Sequence, residues 1–288
     1  MKKKILPFLI LILFAPCHLT AQADDSTTIS PQYRLTTRAT WLSVGHHHTY
    51  DTYLSNLLHQ GTQIGFGAEN QRYYSASYPK FSKYEGGEIH GAFDLNPAQN
   101  YRMMSFFIRG FYGAHYHINA APGLKIMPGG YSNIDLGVKY LSHNSNNPAN
   151  VIANTNLWLS LMGSYTFKIG KEPISISDHF SIAAIGVMFS PKYTQLYYDI
   201  SSIDHFNGNF VFTSFGNRLH FRNEFDIDFP IAKLATVRLG MVAERLKYDV
   251  NKLEGRNLEM SFKLGVVHNI YTFKGNERIP AEFINVMQ

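Results

Sequence analysis

Cysteine and charge are both scarce in this sequence. Cys17 is the only cysteine, and it lies in an N-terminal segment that we expect to be removed, so the mature chain contains none. Disulfide scaffolds, thiolate metal sites and cysteine nucleophiles are therefore excluded. Charged residues make up 16% of the chain, compared with about 25% in average soluble proteins. A surface this poor in charge is not expected to face water everywhere.

Long apolar runs are absent after the N-terminus. The first four residues carry three lysines, residues 5–15 are apolar, and small and polar residues follow. This order is typical of a secretory signal peptide, and its apolar run is too short to cross a bilayer as a helix, which needs about 20 residues. We expect residues 1–23 to be removed, after Ala21 or Ala23. A lipidated Cys17 is the alternative, although a proline directly precedes it.

The charge balance and the short motifs exclude several other classes of protein. The formal net charge is +5, and three of the cations are the lysines of the signal segment. We therefore expect no nucleic-acid partner. The sequence contains no phosphate loop, calcium loop, zinc signature or nucleotide fingerprint, and we expect no cofactor.

What the chain does contain is period-two alternation of apolar and polar residues, which predicts β-strands. In residues 218–229, RLHFRNEFDIDF, one face is aromatic or aliphatic at all but one position. The other face is polar or ionisable throughout, with Arg218, His220, Arg222, Glu224, Asp226 and Asp228. Residues 132–140, 156–169 and 257–266 alternate in the same way.

These strands predict an all-β, closed antiparallel transmembrane β-barrel of about twelve strands, give or take two. The barrel would occupy residues 24–273, and residues 274–288 would form a polar C-terminal tail. Strands of about twelve residues at about 3.4 Å each, tilted by about 40°, match the apolar band of about 25 Å in an outer membrane. The longest segments without alternation are Gly45–Gly61 and Ser190–Tyr193 with its flanks, which we expect to be connections between strands. A secreted soluble barrel is the alternative fold.

Two segments carry a resemblance to a known family. Residues 144–149 read NSNNPA, and residues 186–193 read GVMFSPKY and continue into YYDI at 197–200. Residues 51–55, DTYLS, fit the same family. The chain resembles, over nearly its whole mature length, an uncharacterised family of Gram-negative outer-membrane proteins catalogued only as a domain of unknown function. The resemblance implies location and fold, and it implies no activity.

One departure concerns the C-terminus. Many outer-membrane barrels end on an aromatic residue that the barrel-assembly machinery recognises, whereas this chain continues after Tyr271 and Phe273 with a polar tail. We expect the tail to lie in the periplasm.

His143 and Ser145 are the best catalytic candidates. The four residues from His143, HNSN, resemble the His-x-Ser-Asn pattern of outer-membrane phospholipase A and of lipid A deacylases, in which the histidine activates the serine. Those enzymes have an orienting Asn or Glu where this chain has Leu157, with Asn154 and Asn156 nearby. The strand phase places the pair on the polar face, whereas such sites face outward. A turn with an incidental histidine is the simpler interpretation.

Residues 46–48 are three consecutive histidines, followed by Asp51, which suggests a metal site. Successive side chains of a strand point to opposite faces, so His46 and His48 could share an ion while His47 could not. No supporting ligand is evident nearby, and we expect an exposed loop without metal.

The polar face of residues 218–229 would line the interior of a membrane barrel. It could form a salt-bridged plug with Lys168, Arg238 and Glu244, or a charged constriction that selects solutes. A barrel of about twelve strands allows either, since about eight strands are filled and about sixteen leave a channel. We favour the plug.

The sequence therefore predicts a non-enzymatic outer-membrane β-barrel, either a narrow channel or a structural and interaction protein. The enzymatic alternative is a lipid hydrolase using His143, Ser145 and Asn156, and the soluble alternative is a secreted binding protein. The expected partners are outer-membrane lipids and the barrel-assembly machinery. No solute, substrate or oligomeric state is predicted.

Overall fold

The computed structural model describes residues 33–76, 78–145, 147–170, 172–197, 200, 208–231, 235–270, 283–284 and 286. The predicted signal peptide, Tyr271, Phe273 and most of the predicted tail lie outside the described residues. Within the described ranges, no helix has the length and hydropathy that crossing a membrane requires.

The described part of the chain forms fourteen β-strands. They are β1 (Tyr33–Arg34), β2 (Thr36–Asp51), β3 (Ser55–Tyr73), β4 (Phe81–Leu95), β5 (Arg102–Tyr116), β6 (Ile118–Ala121), β7 (Leu124–Leu141), β8 (Ala149–Ile169), β9 (Glu172–Phe189), β10 (Phe210–Ser214), β11 (Arg218–Ile231), β12 (Ala235–Val250), β13 (Leu253–Ile270) and β14 (Phe283–Ile284).

Ten of these strands close into an antiparallel barrel. Their order around the wall is β2, β3, β4, β5, β7, β8, β9, β11, β12 and β13. The circuit is completed where β13 pairs with β2, from Gly255 opposite Asp51 to Ile270 opposite Thr36. Since an unpaired backbone group costs several kcal/mol in hydrocarbon, a wall without a free edge is the form of sheet that can span a membrane.

The barrel has ten strands rather than twelve, at the lower limit of the predicted range. Two of the remaining strands add no separate position to the wall. Within the described residues, β6 pairs with β7 alone and β10 pairs with β9 alone. The barrel strands are also longer than expected, with 21 residues in β8 and 19 in β3. Because each strand contains more residues, a chain of the same length forms fewer strands.

Apolar side chains face outward along the wall, and polar side chains face inward. On β11, Phe225 is 39% exposed while its neighbour Asp226 is 6% exposed. On β13, Phe262 is 65% exposed while Lys263 is 2% exposed. Further exposed apolar residues lie on neighbouring strands around the wall, including Leu42, Ile64, Phe93, Phe106, Leu136 and Leu159.

The prediction of a loop at Gly45–Gly61 was wrong. These residues form the end of β2 and the beginning of β3, joined by a turn at residues 52–54. The alternation is hidden in the sequence because several outward positions here are polar. They include His46, His48 and Gln60.

The two ends of the barrel are distinguished by the strand ends that lie there. The terminal end is where β2 begins and β13 ends, and the distal end is opposite to it. The β12–β13 turn at the distal end has positive φ at Asn251 (54°) and Lys252 (63°). This is the two-residue hairpin geometry whose twist matches that of the flanking strands.

Candidate functional site in the charged barrel interior

The ionisable face of β11 lies inside the barrel. All six residues identified from the sequence alternation are buried there: Arg218, His220, Arg222, Glu224, Asp226 and Asp228. Successive side chains of a strand point to opposite faces, so these residues face inward while the aromatic and aliphatic residues between them face outward. Buried charges need partners, so the contacts of these groups decide what the interior can do.

The distal part of this face is linked to β12 and β8. His220 Nε2 lies 2.6 Å from Glu244 Oε1, and Arg218 Nη2 lies 3.2 Å from His220 Nδ1. The Arg218 guanidinium also donates to the side-chain oxygen of Asn156. Asn156 in turn donates through Nδ2 to Asn133 Oδ1 at 2.9 Å.

The middle of the face centres on Arg222. Its guanidinium donates to both carboxylate oxygens of Glu88, at 2.8 and 2.9 Å. It also donates to Glu244 Oε2 at 2.7 Å and to Glu224 Oε1 at 2.8 Å. Paired donation of this kind fixes the orientation of both partners.

Arg109 on β5 extends this network. It donates to both oxygens of Glu244, at 2.7 and 2.8 Å, to Glu88 Oε1 at 2.9 Å and to Asp135 Oδ1 at 2.6 Å. Two guanidinium groups, those of Arg109 and Arg222, therefore share the carboxylates of Glu88 and Glu244. The charges of these groups are therefore paired with one another.

The part of the face nearer the terminal end is neutralised by Arg238 and Lys263. Arg238 donates to both oxygens of Asp228, at 2.7 and 2.8 Å, and to Glu69 Oε1 at 2.6 Å. Lys263 Nζ lies 2.7 Å from Glu224 Oε2 and 2.8 Å from Asp226 Oδ1. Arg238 and Glu244 therefore take the partner roles suggested by the sequence, whereas Lys168 is exposed at the terminal end.

Several of these pairs cross the interior from one wall to the other. Glu88 is on β4 and Arg222 is on β11, and β5, β7, β8 and β9 separate them on one side while β12, β13, β2 and β3 separate them on the other. Arg109 on β5 and Glu244 on β12 are likewise separated by four strands on each side. Side chains from opposite walls thus meet at hydrogen-bonding distance across the middle of the barrel.

Aromatic side chains lie beside the ion pairs at this level. Tyr84, Tyr131 and Trp158 are buried together with Ala183, and Phe111 packs against them. The rings of Tyr131 and Trp158 stack with centroids 5.5 Å apart, and the Trp158 ring meets His220 edge-on at 4.5 Å. The aromatic half and the ionic half of the layer are therefore in direct contact.

A cavity of about 60 Å³ lies on the distal side of this layer. Its lining includes His47, Gln63, Lys139, Asn154 and Arg218. Among the described residues, Gln63 Nε2 and Asn154 Oδ1 are buried without a protein hydrogen-bond partner. At about 10 to 15 Å³ per molecule, the cavity has room for about four to six waters, which could bind these polar groups.

Residues outside the barrel strands make contacts near both ends of the barrel. At the distal end, Tyr53 donates its hydroxyl to Gln195 O at 2.9 Å, and Tyr197 donates to Asn150 Oδ1 at 2.9 Å. Burial raises the pKa of Tyr197, so its hydroxyl stays protonated and remains a donor. At the terminal end, Val286 is fully buried and its carbonyl accepts a hydrogen bond from Lys125 Nζ at 3.1 Å.

The catalytic candidates from the sequence are not brought together as a triad. The exposed His143 ring stacks on Tyr101, with ring centroids 3.8 Å apart and an interplanar angle of 20°. Ser145 is exposed in the same connection, and the fourth residue of the motif, Asn146, lies outside the described residues. Asn156 is buried inside the barrel with Arg218 and Asn133 as partners.

The sequence analysis did not name five members of the interior network, which are Glu69, Glu88, Arg109, Asp135 and Lys263. Glu69, Glu88 and Arg109 are isolated charges in segments where the other face is apolar, and Glu88 follows two glycines that interrupt the alternation. The parity of Glu88 relative to the outward Ile89 and Phe93 is the signal that could have placed it inside.

A family profile described as "Protein of unknown function (DUF3316)" matches residues 6–277. The chain belongs to this family. The match agrees with the resemblance to an uncharacterised family that the sequence suggested, and it spans all ten barrel strands. No curated protein matches this DUF3316 chain.

Solved structures that are similar in fold have low sequence identity to the chain. The outer membrane protease OmpT from Escherichia coli has a TM-score of 0.49 and 9% identity, covering 85% of this chain and 99% of that one. The transport unit of the autotransporter AIDA-I from Escherichia coli has a TM-score of 0.47 and 6% identity, covering 88% and 94%. The translocator domain of the autotransporter NalP from Neisseria meningitidis has a TM-score of 0.40 and 9% identity, covering 80% and 88%.

Proposed function

We propose that this protein is a non-enzymatic β-barrel of the outer membrane whose interior is closed, and that it has a structural or interaction role rather than that of an open channel. The observation that carries this proposal is the set of ion pairs that join opposite walls, above all Arg222 with Glu88 and Arg109 with Glu244. A solute crossing the barrel would have to separate buried, charge-assisted pairs, and breaking one such pair costs about 3 to 5 kcal/mol.

Closure at other levels supports the same conclusion. The aromatic cluster of Tyr84, Tyr131 and Trp158 narrows the interior beside the ion pairs. The contacts of Tyr53 and Tyr197 cover the distal end, and Val286 is buried at the terminal end. A channel would need all these contacts to open together.

The outer surface supports a location in the membrane. Large apolar residues are 40 to 65% exposed on strands around the wall, as at Ile89 (44%), Leu159 (55%) and Phe262 (65%). A soluble barrel would place its apolar face inside and its charges outside, which is the reverse of this arrangement. Together with the secretory N-terminal segment, this supports export to the outer membrane, with membrane lipids and the barrel-assembly machinery as partners.

Conductance in planar lipid bilayers tests the closed interior. We expect the mature wild-type chain, inserted in a folded state as judged by heat-modifiable gel migration, to show no steady current in potassium chloride. A variant carrying Glu88→Ser, Arg109→Ser, Arg222→Ser and Glu244→Ser removes two cations and two anions from the middle layer. We expect this variant to show current steps, because the side chains that tie the walls together are gone.

The matched control changes two ion pairs that lie outside the interior network and are partly exposed. It carries Lys83→Ser, Glu85→Ser, Glu254→Ser and Arg256→Ser, and we expect it to remain silent. Steady ohmic current through the wild-type chain would contradict the proposal and favour the narrow channel.

A further inference from the structure

Two histidines converge on the outer face of the barrel near its distal end. His46 and His48 both point outward from β2, while His47 between them points inward and pairs with Asp94 at 2.7 Å. The Nε2 atoms of His46 and His48 are 2.7 Å apart. Their rings meet edge-on, with centroids 4.5 Å apart and an interplanar angle of 80°. In this contact one ring donates a hydrogen bond to the other, and both Nε2 atoms face the same point on the surface.

We propose that His46 and His48 form a surface binding site for Cu²⁺. Two nitrogens held about 2.0 Å from one ion lie about 2.8 Å apart in adjacent positions of a tetragonal site, but about 3.3 Å apart in a tetrahedral one. The observed separation of 2.7 Å matches the tetragonal geometry that Cu²⁺ prefers. Imidazole nitrogen is a ligand that suits copper, and among divalent first-row metals Cu²⁺ binds a given nitrogen site most tightly.

The residues opposite the two histidines on the neighbouring strands are uncharged. His46 lies opposite Thr62 on β3 and Met260 on β13. His48 lies opposite Gln60 and Leu258. None of these four neighbours carries a charge that would repel a cation. In the described part of the chain, no group of three or more His, Cys, Asp or Glu residues is arranged to hold a metal ion, so we expect water to fill the other positions of the copper.

The position of the pair makes it accessible from outside the barrel. His48 is three residues before Asp51, where β2 ends at the distal turn. Between them, the outward Tyr50 ring has the Arg256 guanidinium 5.4 Å from its centroid, an aromatic and cationic contact of the kind found where a barrel leaves the apolar band. Copper in the medium would therefore reach the histidines without entering the barrel.

Copper titration of the folded barrel tests the site. The mature chain without a purification tag is folded in detergent, titrated with copper(II) chloride and examined by electron paramagnetic resonance. We expect one Cu²⁺ with nitrogen hyperfine coupling from two imidazoles. Either His46→Gln or His48→Gln should lower the affinity by at least about tenfold, since losing a ligand is more damaging than losing a supporting partner, which costs about 10- to 100-fold.

His268→Gln is the matched control. His268 is also exposed on the outer face, but it lies at the terminal end of β13 and away from the pair. This variant should keep the wild-type affinity and spectrum. All variants are checked for heat-modifiable migration, so that a loss of copper is not a loss of fold. If the His46→Gln and His48→Gln chains both bind Cu²⁺ with wild-type affinity and an unchanged spectrum, the site does not exist and the contact is a hydrogen bond alone.

Discussion

Arg222 Nη1 lies 2.8 Å from Glu88 Oε1, although the two side chains leave strands on opposite walls of the barrel. They are 134 positions apart in the sequence. This contact ties β11 to β4 through the interior, independently of the backbone pairing that holds neighbouring strands together. The middle of the barrel is therefore fixed both around its wall and across its diameter.

Removing Arg222 should destabilise the barrel strongly. Arg222→Met leaves the carboxylates of Glu88 and Glu224 short of a buried partner, and breaking a buried ion pair in this way costs about 3 to 5 kcal/mol. The measurement is the free energy of unfolding in urea for barrels folded into lipid vesicles. The double variant Arg222→Met with Glu88→Leu should recover part of the loss, since a buried pair can be replaced by apolar groups at little cost.

The control for this prediction is Arg256→Met. Arg256 pairs with Glu254 at 2.5 Å, but its side chain is 57% exposed on the outer face. An exposed pair contributes about 0 to 1 kcal/mol, so this variant should unfold close to the wild type. Equal losses in Arg222→Met and Arg256→Met would mean that the interior pairs do not carry the stability assigned to them.

The two faces of β11 were predictable from the sequence, but the partners of its charges were not. Period two separates Arg222 from Phe221 and Phe225 regardless of the rest of the fold. The choice of Glu88 and Glu244 as partners depends on which strands face each other, and that depends on the number of strands and their register. Alternation contains neither quantity, which is also why ten strands were counted as about twelve.

The distal ends of β2 and β3 were missed for a related reason. Alternation can be recognised in a sequence only where one face of the strand is apolar. Beyond the apolar band of the membrane, outward residues no longer need to be apolar. His46, His48 and Gln60 are outward and polar, so the strand continued where the pattern stopped. The opposite facing of His47 followed correctly from strand geometry alone.

Tryptophan fluorescence should report which face meets lipid. The chain has two tryptophans, and both point inward, with Trp41 4% and Trp158 1% exposed. In vesicles whose acyl chains carry bromine, we expect the wild-type emission to be quenched only weakly. Leu264→Trp in a Trp41→Phe, Trp158→Phe background should be quenched strongly, because position 264 is 61% exposed on the outer face. Strong quenching of the native tryptophans would show that the faces are reversed.

Lipid hydrolysis should be absent from the wild-type chain. The His143 ring stacks on Tyr101, and Asn156, the third candidate, is held inside the barrel by Asn133 and Arg218. A histidine that activates a serine needs both its nucleophile and an orienting partner. The assay measures release of fatty acid from phospholipid and from lipid A in mixed micelles. Hydrolysis that is present in the wild type and lost in Ser145→Ala would overturn the non-enzymatic proposal.

Acid should weaken the barrel partly through His117. This residue lies between β5 and β6, where burial lowers its pKa to about 4, and its Nε2 atom is 2.7 Å from Ser82 Oγ. The unfolded chain takes up the proton near the ordinary pKa of about 6.5, before the folded chain does, so stability from the neutral ring is lost as the pH falls from about 6.5 to about 4. The urea midpoint should therefore fall more between pH 7 and pH 4.5 in the wild type than in His117→Gln, which keeps a hydrogen-bonding group but cannot titrate. Parallel pH profiles for the two chains would show that His117 contributes nothing to the acid sensitivity.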